Sequence, residues 1–581
     1  MRRFTGWALL WTSATAIVGL DVQMVLSSEE APQAAGIRIT VSDRVLHEID
    51  PRLFGQFMER PSWGEIGPEA AVIPGTGKLR QEARQLLHRM RVPLARFPGG
   101  TDVDYIDWRD MIDNVPGRAG GRPITTGHQG DRVTNSFGYD EFLQLCEELA
   151  IKPILVVNFR AGLLAPDGPQ KAATHAAKLV AYCNVPVEND LPEALSVWPA
   201  LRARNGRPAP YQVKYFQIGN ETWAFSRNID HDRYIAALET YIRAIRAVDP
   251  TVQIIVDGQP SELAAELHRR LGDRIAYFAV HHYQPWQIRE IQRAGRPVDV
   301  ENLSARDIWY AWVTVPRIDA AGQSVLVRDE LTRARELGYR VAMTEWNWNG
   351  WWGRSIADRT EPASLYTKGV GAAGILHAIM RQGDVVRLAA QSMLIGDSWG
   401  IHSICCDRHG RTPPYMVPSG QVTMLYSWYH GPKRLKVGLA GVPRYEQPYR
   451  MGGNGPASSA AVLDVLATRS DRKLYVHAVN RHFDESLSAE IDVSALTQKP
   501  GRRGMLHTLQ GRLKNAPEAG EPQAPGRIRD EAFDVGSSRF RIRLPARSVS
   551  VIEVPLLVRN SPRDNKTRDN KISLSDENRE D

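Results

Sequence analysis

The chain has 581 residues, 43% of them hydrophobic and 24% charged, which is the composition of an ordinary globular protein with length for two structured domains. Its 73 Lys and Arg stand against 66 Asp and Glu, a formal charge of +7. The two signs are interleaved with no basic run to track a phosphate backbone, so nucleic acid is excluded as the expected partner. Four cysteines, Cys146, Cys183, Cys405 and Cys406, follow no ligand spacing and predict neither a metal site nor a disulfide framework.

Arg2 and Arg3 precede an apolar stretch from Trp7 to Leu20, which has the form of an export signal within residues 1–35. An uncleaved anchor or an unstructured leader is the alternative. The expectation is a periplasmic or extracellular protein without stable membrane insertion, since no later segment has the length and apolarity of a bilayer span. Ile37 to Val41 alternates like a half-buried strand within 36–50. Short apolar runs then alternate with amphipathic stretches. The runs are Leu53 to Met58, Val92 to Phe97, Ile154 to Val157, Val213 to Ile218, Val252 to Val256, Ile275 to Val280, Arg340 to Thr344 and Val386 to Leu394. Between them, stretches such as Tyr139 to Leu149, Arg233 to Val248, Leu326 to Leu337 and Ser364 to Met380 carry helical spacing. Eight strand–helix alternations predict an α/β fold, a closed (β/α)8 TIM barrel over 51–413.

At or just past the ends of these runs stand Glu59, Arg96, Asn158, Asn220 with Glu221, Asp257, His281 with Tyr283, Glu345 and Gln391. In such a barrel the active site is assembled from the C-terminal strand ends, so ionisable groups collecting there mark a catalytic face. From 414 to 557 the rhythm becomes short strands between Gly, Pro, Asn and Asp turns: Ala460 to Thr468, Lys473 to Asn480, Ser486 to Val493, Gly504 to Leu509 and Arg539 to Val554. This predicts an all-β sandwich, with the 36–50 strand pairing into it. Residues 558–581 are charged, nearly free of aliphatics, and read as a disordered tail.

Two glutamates sit in pointed contexts, Gly219-Asn220-Glu221-Thr222-Trp223 and Thr344-Glu345-Trp346-Asn347-Trp348. A retaining glycosidase needs one protonated carboxyl to help the leaving group depart and one ionised carboxyl to attack the anomeric carbon. A glutamate at a strand end is more often a solvated ion-pair partner, so the weight rests on the pair and its place in the barrel.

With those residues in hand, the chain resembles glycoside hydrolase family 51, whose members include α-L-arabinofuranosidases. The resemblance is carried by Phe54-Gly55-Gln56-Phe57-Met58-Glu59, Arg96-Phe97-Pro98-Gly99-Gly100, Thr134-Asn135-Ser136-Phe137-Gly138, Tyr182-Cys183-Asn184, Gln217-Ile218-Gly219-Asn220-Glu221 and the Glu345 and Gln391 segments. It implies retention of anomeric configuration without metal or organic cofactor. By position it makes Glu221 the general acid/base and Glu345 the nucleophile. It further implies that Arg96 and Tyr283 hold Glu345, that Asn220 meets the sugar 2-hydroxyl, and that Glu59 and Gln391 bind other hydroxyls. Thr101 stands where the family usually has Asn, and a hydroxyl does not replace an amide that both donates and accepts. Asp102 or Asp104 is the candidate to take over part of that contact. Trp346, with Trp348, Trp351 and Trp352, either lines an aromatic subsite or packs the loop.

The expected activity is exo-acting α-L-arabinofuranosidase on arabinan or arabinoxylan side chains. A retaining endo-β-glucanase or β-xylosidase on the same scaffold is the alternative, and a non-catalytic carbohydrate-binding protein a third. The expected partner is a plant-type polysaccharide or arabino-oligosaccharide, with a homo-oligomer left open.

Overall fold

The computed structural model describes residues 36–189, 192–314, 326–352, 363–452, 454–514 and 522–557. The expected leader and charged tail lie outside them. Gly36 onward forms one compact unit. Its first strand, β1 (Ile37–Glu48), is followed by eight parallel strands that close into a barrel: β2 (Gly55–Phe57), β3 (Leu94–Phe97), β4 (Lys152–Val157), β5 (Tyr215–Ile218), β6 (Gln253–Asp257), β7 (Tyr277–Tyr283), β8 (Val341–Asn347) and β9 (Val386–Ser392). Each falls on one of the eight apolar runs. β9 pairs with β2, and this contact closes the ring.

The barrel interior is stacked in layers, as the two-residue period of a strand requires. Leu94, Ile154, Tyr215, Ile255, Tyr277, Ala279, Ala342 and Leu388 form one apolar cluster inside the ring. Two residues further along their strands come Arg96, Gln217, Asp257 and His281, buried polar groups directly above that plug. The chemistry therefore sits on an apolar floor that leaves it little freedom to move.

After β9 the structure departs from the expected boundary at 413. Helix Pro418–Trp428 packs along helix Leu365–Arg381 and sends Thr423 to the Gln391 side chain. It was invisible as a helix because it is buried on nearly every side and so has no amphipathic period.

Apart from short strands in small two- and three-stranded sheets, the chain continues with β10 (Lys433–Ala440), β11 (Leu463–Arg469), β12 (Lys473–Asn480), β13 (Leu487–Ala495), β14 (Arg503–Gly511), β15 (Gly526–Asp534), β16 (Arg539–Leu544) and β17 (Ser548–Pro555). With β1 they make one nine-stranded sheet, in the order β15-β14-β17-β12-β11-β10-β1-β13-β16. β1 is antiparallel to β10 and parallel to β13, so the N-terminal strand does join this region. The sheet folds over a single core that draws residues from both of its ends. Phe533 and Phe540, on the two edge strands, stack with centroids 5.6 Å apart. The expected sandwich thus has both layers in one hydrogen-bonded sheet. The long run Arg539 to Val554 is two strands, since Pro545 lacks the N–H a ladder needs. β15 escaped notice because its mostly exposed face is charged, as suits an edge.

Candidate active site

Glu221 ends the segment after β5 in the left-handed region, with φ +46°. Only an over-determined backbone holds a non-glycine residue there. Asp104 Oδ2 accepts the Asn220 N–H at 3.4 Å, and Asp257 Oδ2 accepts both the N–H and the hydroxyl of Thr222 at 2.7 Å. The turn bearing Glu221 is therefore pinned on both flanks. Gly219, φ +79°, precedes it, and a Cβ there would stand 2.8 Å from Thr222 and 2.9 Å from Phe159. Burial pushes both Asp104 and Asp257 up to about 6 against the donors that hold them.

Glu345 reaches the lumen through an irregularity. Val341 and Met343 pack in the layer between strands and helices, while Ala342 faces the interior. Strict alternation would send Glu345 outward. The register shifts between Ala342 and Glu345, so Glu345 pairs with His281 and turns inward. Trp346 consequently points out into the strand–helix core, where it is fully buried.

Inside the pocket Arg96 Nη1 donates to Glu345 Oε1 at 2.8 Å and the Tyr283 hydroxyl to Glu345 Oε2 at 2.7 Å. Arg96 also donates to Gln217 Oε1 at 2.9 Å and Asn220 Oδ1 at 2.5 Å, and lies over the Phe57 ring. His281 Nδ1 is 2.9 Å from Glu221 Oε1 and 3.5 Å from Glu345 Oε2, and its Nε2 is 3.0 Å from Thr344 Oγ1. Burial pushes the Glu345 carboxyl up, but His281, Arg96 and Tyr283 outweigh it and hold the group below 4.5. Burial pulls His281 down, yet Glu345 and Glu221 raise it above 6.5. Burial, then Glu345 and Asp102, lifts Glu59 well above the carboxylate range. Glu59 lies flat over Gly100, where a Cβ would come within 1.9 Å of its Oε1. Two carboxyls of one pocket, Glu345 and Glu59, are thus pushed in opposite directions.

Glu221, His281 and Glu345 each bring a ligand atom within 4.8 Å of the others, the spacing of a metal site. Arg96 and His281 already supply cationic partners to that donor set, which suits a pair of charge-balanced carboxyls better than a cation.

Thr101 is half-buried and opens the helical turn Thr101–Tyr105. Several expected sugar contacts are placed elsewhere. Gln391 is fully buried, accepting from Gln56 Nε2 at 3.1 Å and from Thr423, with its own amide within 3.5 Å of Asn347 Oδ1 and Ser419 O. It braces β9 from within. Asp102 pairs with Arg60 at 3.1 Å and accepts from His128, and Asp104 holds the backbone of Phe159, Arg160 and Asn220. Neither takes the contact proposed for it. Trp348 and Trp351, like Trp346, are buried, so the loop after Glu345 offers no open aromatic wall through them. Gln217 and the clamping roles of Asp104 and Asp257 were missed. The signal for Gln217 was its place two residues after Tyr215, in step with Arg96 after Leu94.

Residues 86–293 match the family described as "Alpha-L-arabinofuranosidase 1 domain". Over that stretch the chain is similar to α-L-arabinofuranosidases. That stretch contains Glu221, whereas Glu345 lies beyond it and is joined to the site by the fold. Alpha-L-arabinofuranosidase C of Emericella nidulans is 30% identical over 242 residues, which is 40% of this chain and 43% of that protein. The match thus spans less than half the length of that curated relative. The intracellular exo-alpha-(1->5)-L-arabinofuranosidase of Halalkalibacterium halodurans is 22% identical across 87% of this chain and 96% of its own. Among solved structures, the thermostable GH51 alpha-L-arabinofuranosidase from Thermotoga petrophila superposes with a TM-score of 0.67 at 24% identity, covering 89% of this chain and 100% of that one.

Proposed function

We propose that this arabinofuranosidase-like chain is a retaining glycoside hydrolase, an exo-acting α-L-arabinofuranosidase that releases arabinofuranose from arabinan or arabinoxylan side chains. The observation that carries it is the pair of opposed carboxyls: an oxygen of Glu221 and an oxygen of Glu345 lie within 4.8 Å of each other. Direct attack calls for a separation of roughly 5–5.5 Å, whereas an inverting enzyme needs about 6.5–9.5 Å to seat a water. The domain match and the names of the relatives support the sugar.

Glu345, kept ionised by Arg96, Tyr283 and His281, attacks the anomeric carbon, and the glycosidic C–O bond breaks as Glu221 passes its proton to the departing oxygen. Water then surrenders a proton to Glu221 and its oxygen attacks the same carbon, releasing Glu345 and restoring the original configuration. Asn220 Nδ2 is buried and has no partner among the described residues, a donor that the sugar 2-hydroxyl would satisfy. Burial raises the Glu59 carboxyl well above the carboxylate range, which favours a hydroxyl donor there. The leader segment supports export, and the described residues include no helix long and apolar enough to cross a membrane.

Glu345→Ala abolishes turnover on every substrate, since no glycosyl-enzyme forms. Glu221→Ala lowers the rate about 10²–10⁴-fold on alkyl or sugar leaving groups but spares the first step with dinitrophenolate, giving a burst of phenolate and a slow steady rate. Azide should restore that steady rate and yield a glycosyl azide of retained configuration. Retained-configuration rescue of Glu345→Ala, or no response from Glu221→Ala, would reverse or sink these assignments.

A further inference from the structure

Asn158, one of the polar residues at the strand ends, takes no part in the hydrogen bonds around Glu221 and Glu345. It lines a separate cavity of about 390 Å³ between β4, the turn Thr101–Tyr105 and helix Gln170–Asn184, a volume at the low end of small-ligand sites. The walls are largely apolar, with Val103, Trp108, Val156, Ala176 and Leu179 among them. Most of the polar groups on them are donors left unused. Tyr139 lines the closed end at 1% exposure, and its hydroxyl makes no hydrogen bond among the described residues. Burial pushes that phenol above 10, so it stays a neutral donor. Asn158 Oδ1 accepts the Ala161 N–H at 2.9 Å, which leaves Nδ2 to donate. At the open end the exposed Lys171 makes no ion pair among the described residues. It stands in the first turn of helix Gln170–Asn184, which has neither a side-chain cap nor an acidic residue there. The unmet N–H groups and partial positive charge of such a helix start add to the ammonium. Of the two lining acids, Asp107 is engaged by Arg109 and His175, and Asp167 alone has no ion pair among the described residues.

We propose that this cavity binds a small hydroxylated aromatic carboxylate, its ring against Trp108 and the aliphatic wall, its carboxylate at Lys171 and the helix start, and its ring hydroxyl accepting from Tyr139. Each part of the ligand answers one observation. A buried phenol without a partner carries the cost of an unmade hydrogen bond, which a ligand oxygen at the closed end removes. An ionised carboxylate is costly inside an apolar wall, so the acid end faces out, where the cationic groups meet it. The site backs onto the turn that bears Glu221. Asp104, between the lining residues Val103 and Ile106, accepts from the N–H groups of Phe159 and Arg160, which directly follow Asn158. The bound acid therefore packs against the rear of that clamp. Nothing in its binding depends on the glycosidase reading.

Titration calorimetry on the full chain measures Kd for 3-(4-hydroxyphenyl)propanoate, for 3-phenylpropanoate, which lacks the hydroxyl, and for 3-(4-hydroxyphenyl)propan-1-ol, which lacks the charge. The hydroxylated acid should bind about tenfold more tightly than either of the others. Lys171→Gln should erase its advantage over the alcohol, and Tyr139→Phe its advantage over 3-phenylpropanoate, because each variant removes one partner and keeps the other. Ala176→Leu fills the cavity and should abolish binding of all three. Should that overpacked variant fail to fold, Lys171→Gln still decides, since its side chain is exposed and holds no part of the fold together. A wild type that does not bind the hydroxylated acid, an equal Kd for that acid and the alcohol, or wild-type affinity in Lys171→Gln or in folded Ala176→Leu would each overturn the site.

Discussion

At the scale of single residues, the site is a balance of charges around Glu345. Its carboxyl is buried and, left alone, would hold its proton; Arg96, His281 and Tyr283 reverse that and keep it ionised below pH 4.5. Because the folded value is depressed, the stabilisation from these partners is fully present above the ordinary carboxylate range and is lost as pH falls through the folded value. The same ionisation sets the acid limb of kcat/KM. Tyr283→Phe removes the 2.7 Å hydroxyl donor while leaving the ring, so the limb should move upward in pH and the plateau fall about tenfold, as expected for one charge-assisted hydrogen bond. A pH–rate profile unmoved by this change would show that Tyr283 does not tune the nucleophile. The residue scale also explains why the turn at Glu221 is strained: two carboxylates, Asp104 and Asp257, are spent on holding backbone rather than substrate.

At the scale of elements, barrel and sheet are latched by a buried ion cluster. Helix Leu365–Arg381 brings Arg381 and His377 to Asp464 on β11, where Arg481 also arrives at 3.4 Å. Burial alone would raise Asp464, but Arg381, His377 and Arg481 hold it well below 3.8. Asp464→Ala strands two buried guanidiniums, and should cost about 3–5 kcal/mol in urea unfolding. The sign of its pH dependence follows. The latch is intact above pH 3.8 and fails as pH falls through the depressed folded value, so the wild type should lose more stability than the variant in acid. A variant within ~0.5 kcal/mol of wild type would show that the cluster contributes nothing net.

At the scale of the whole molecule, the barrel and the folded-over sheet share a core. The main apolar cluster runs from Leu53 and Phe54 through the barrel helices to Leu466, Tyr475, Val479, Leu509, Val549 and Val551 of the sheet. Tyr366 and Gln421 on barrel helices donate to carbonyls of Leu509 and Gly526. Residues 36–557 should therefore melt in one calorimetric transition, and a fragment of 51–430 should expose this apolar face and fail to fold cooperatively. Two resolved transitions would show that each part stands alone.

The sequence by itself determined the eight barrel strands, because an alternation of short apolar runs and helical periods is a local property of the chain. It also singled out Glu221, Glu345, Arg96 and Tyr283, whose positions at strand ends follow from the same pattern. Tertiary structure alone decided which way each side chain points. The register shift before Glu345 turned that carboxylate inward and Trp346 outward, and no local period records such a shift. Likewise Gln391 looked like a sugar contact at a strand end until Gln56, Ser419 and Thr423, far away in sequence, took up its amide. Trp286 shows the same: an aromatic residue in an ordinary loop is held edge-on between Tyr283 and Trp351, a placement only the fold supplies. Periodicity specifies elements, while partnership between distant residues specifies chemistry.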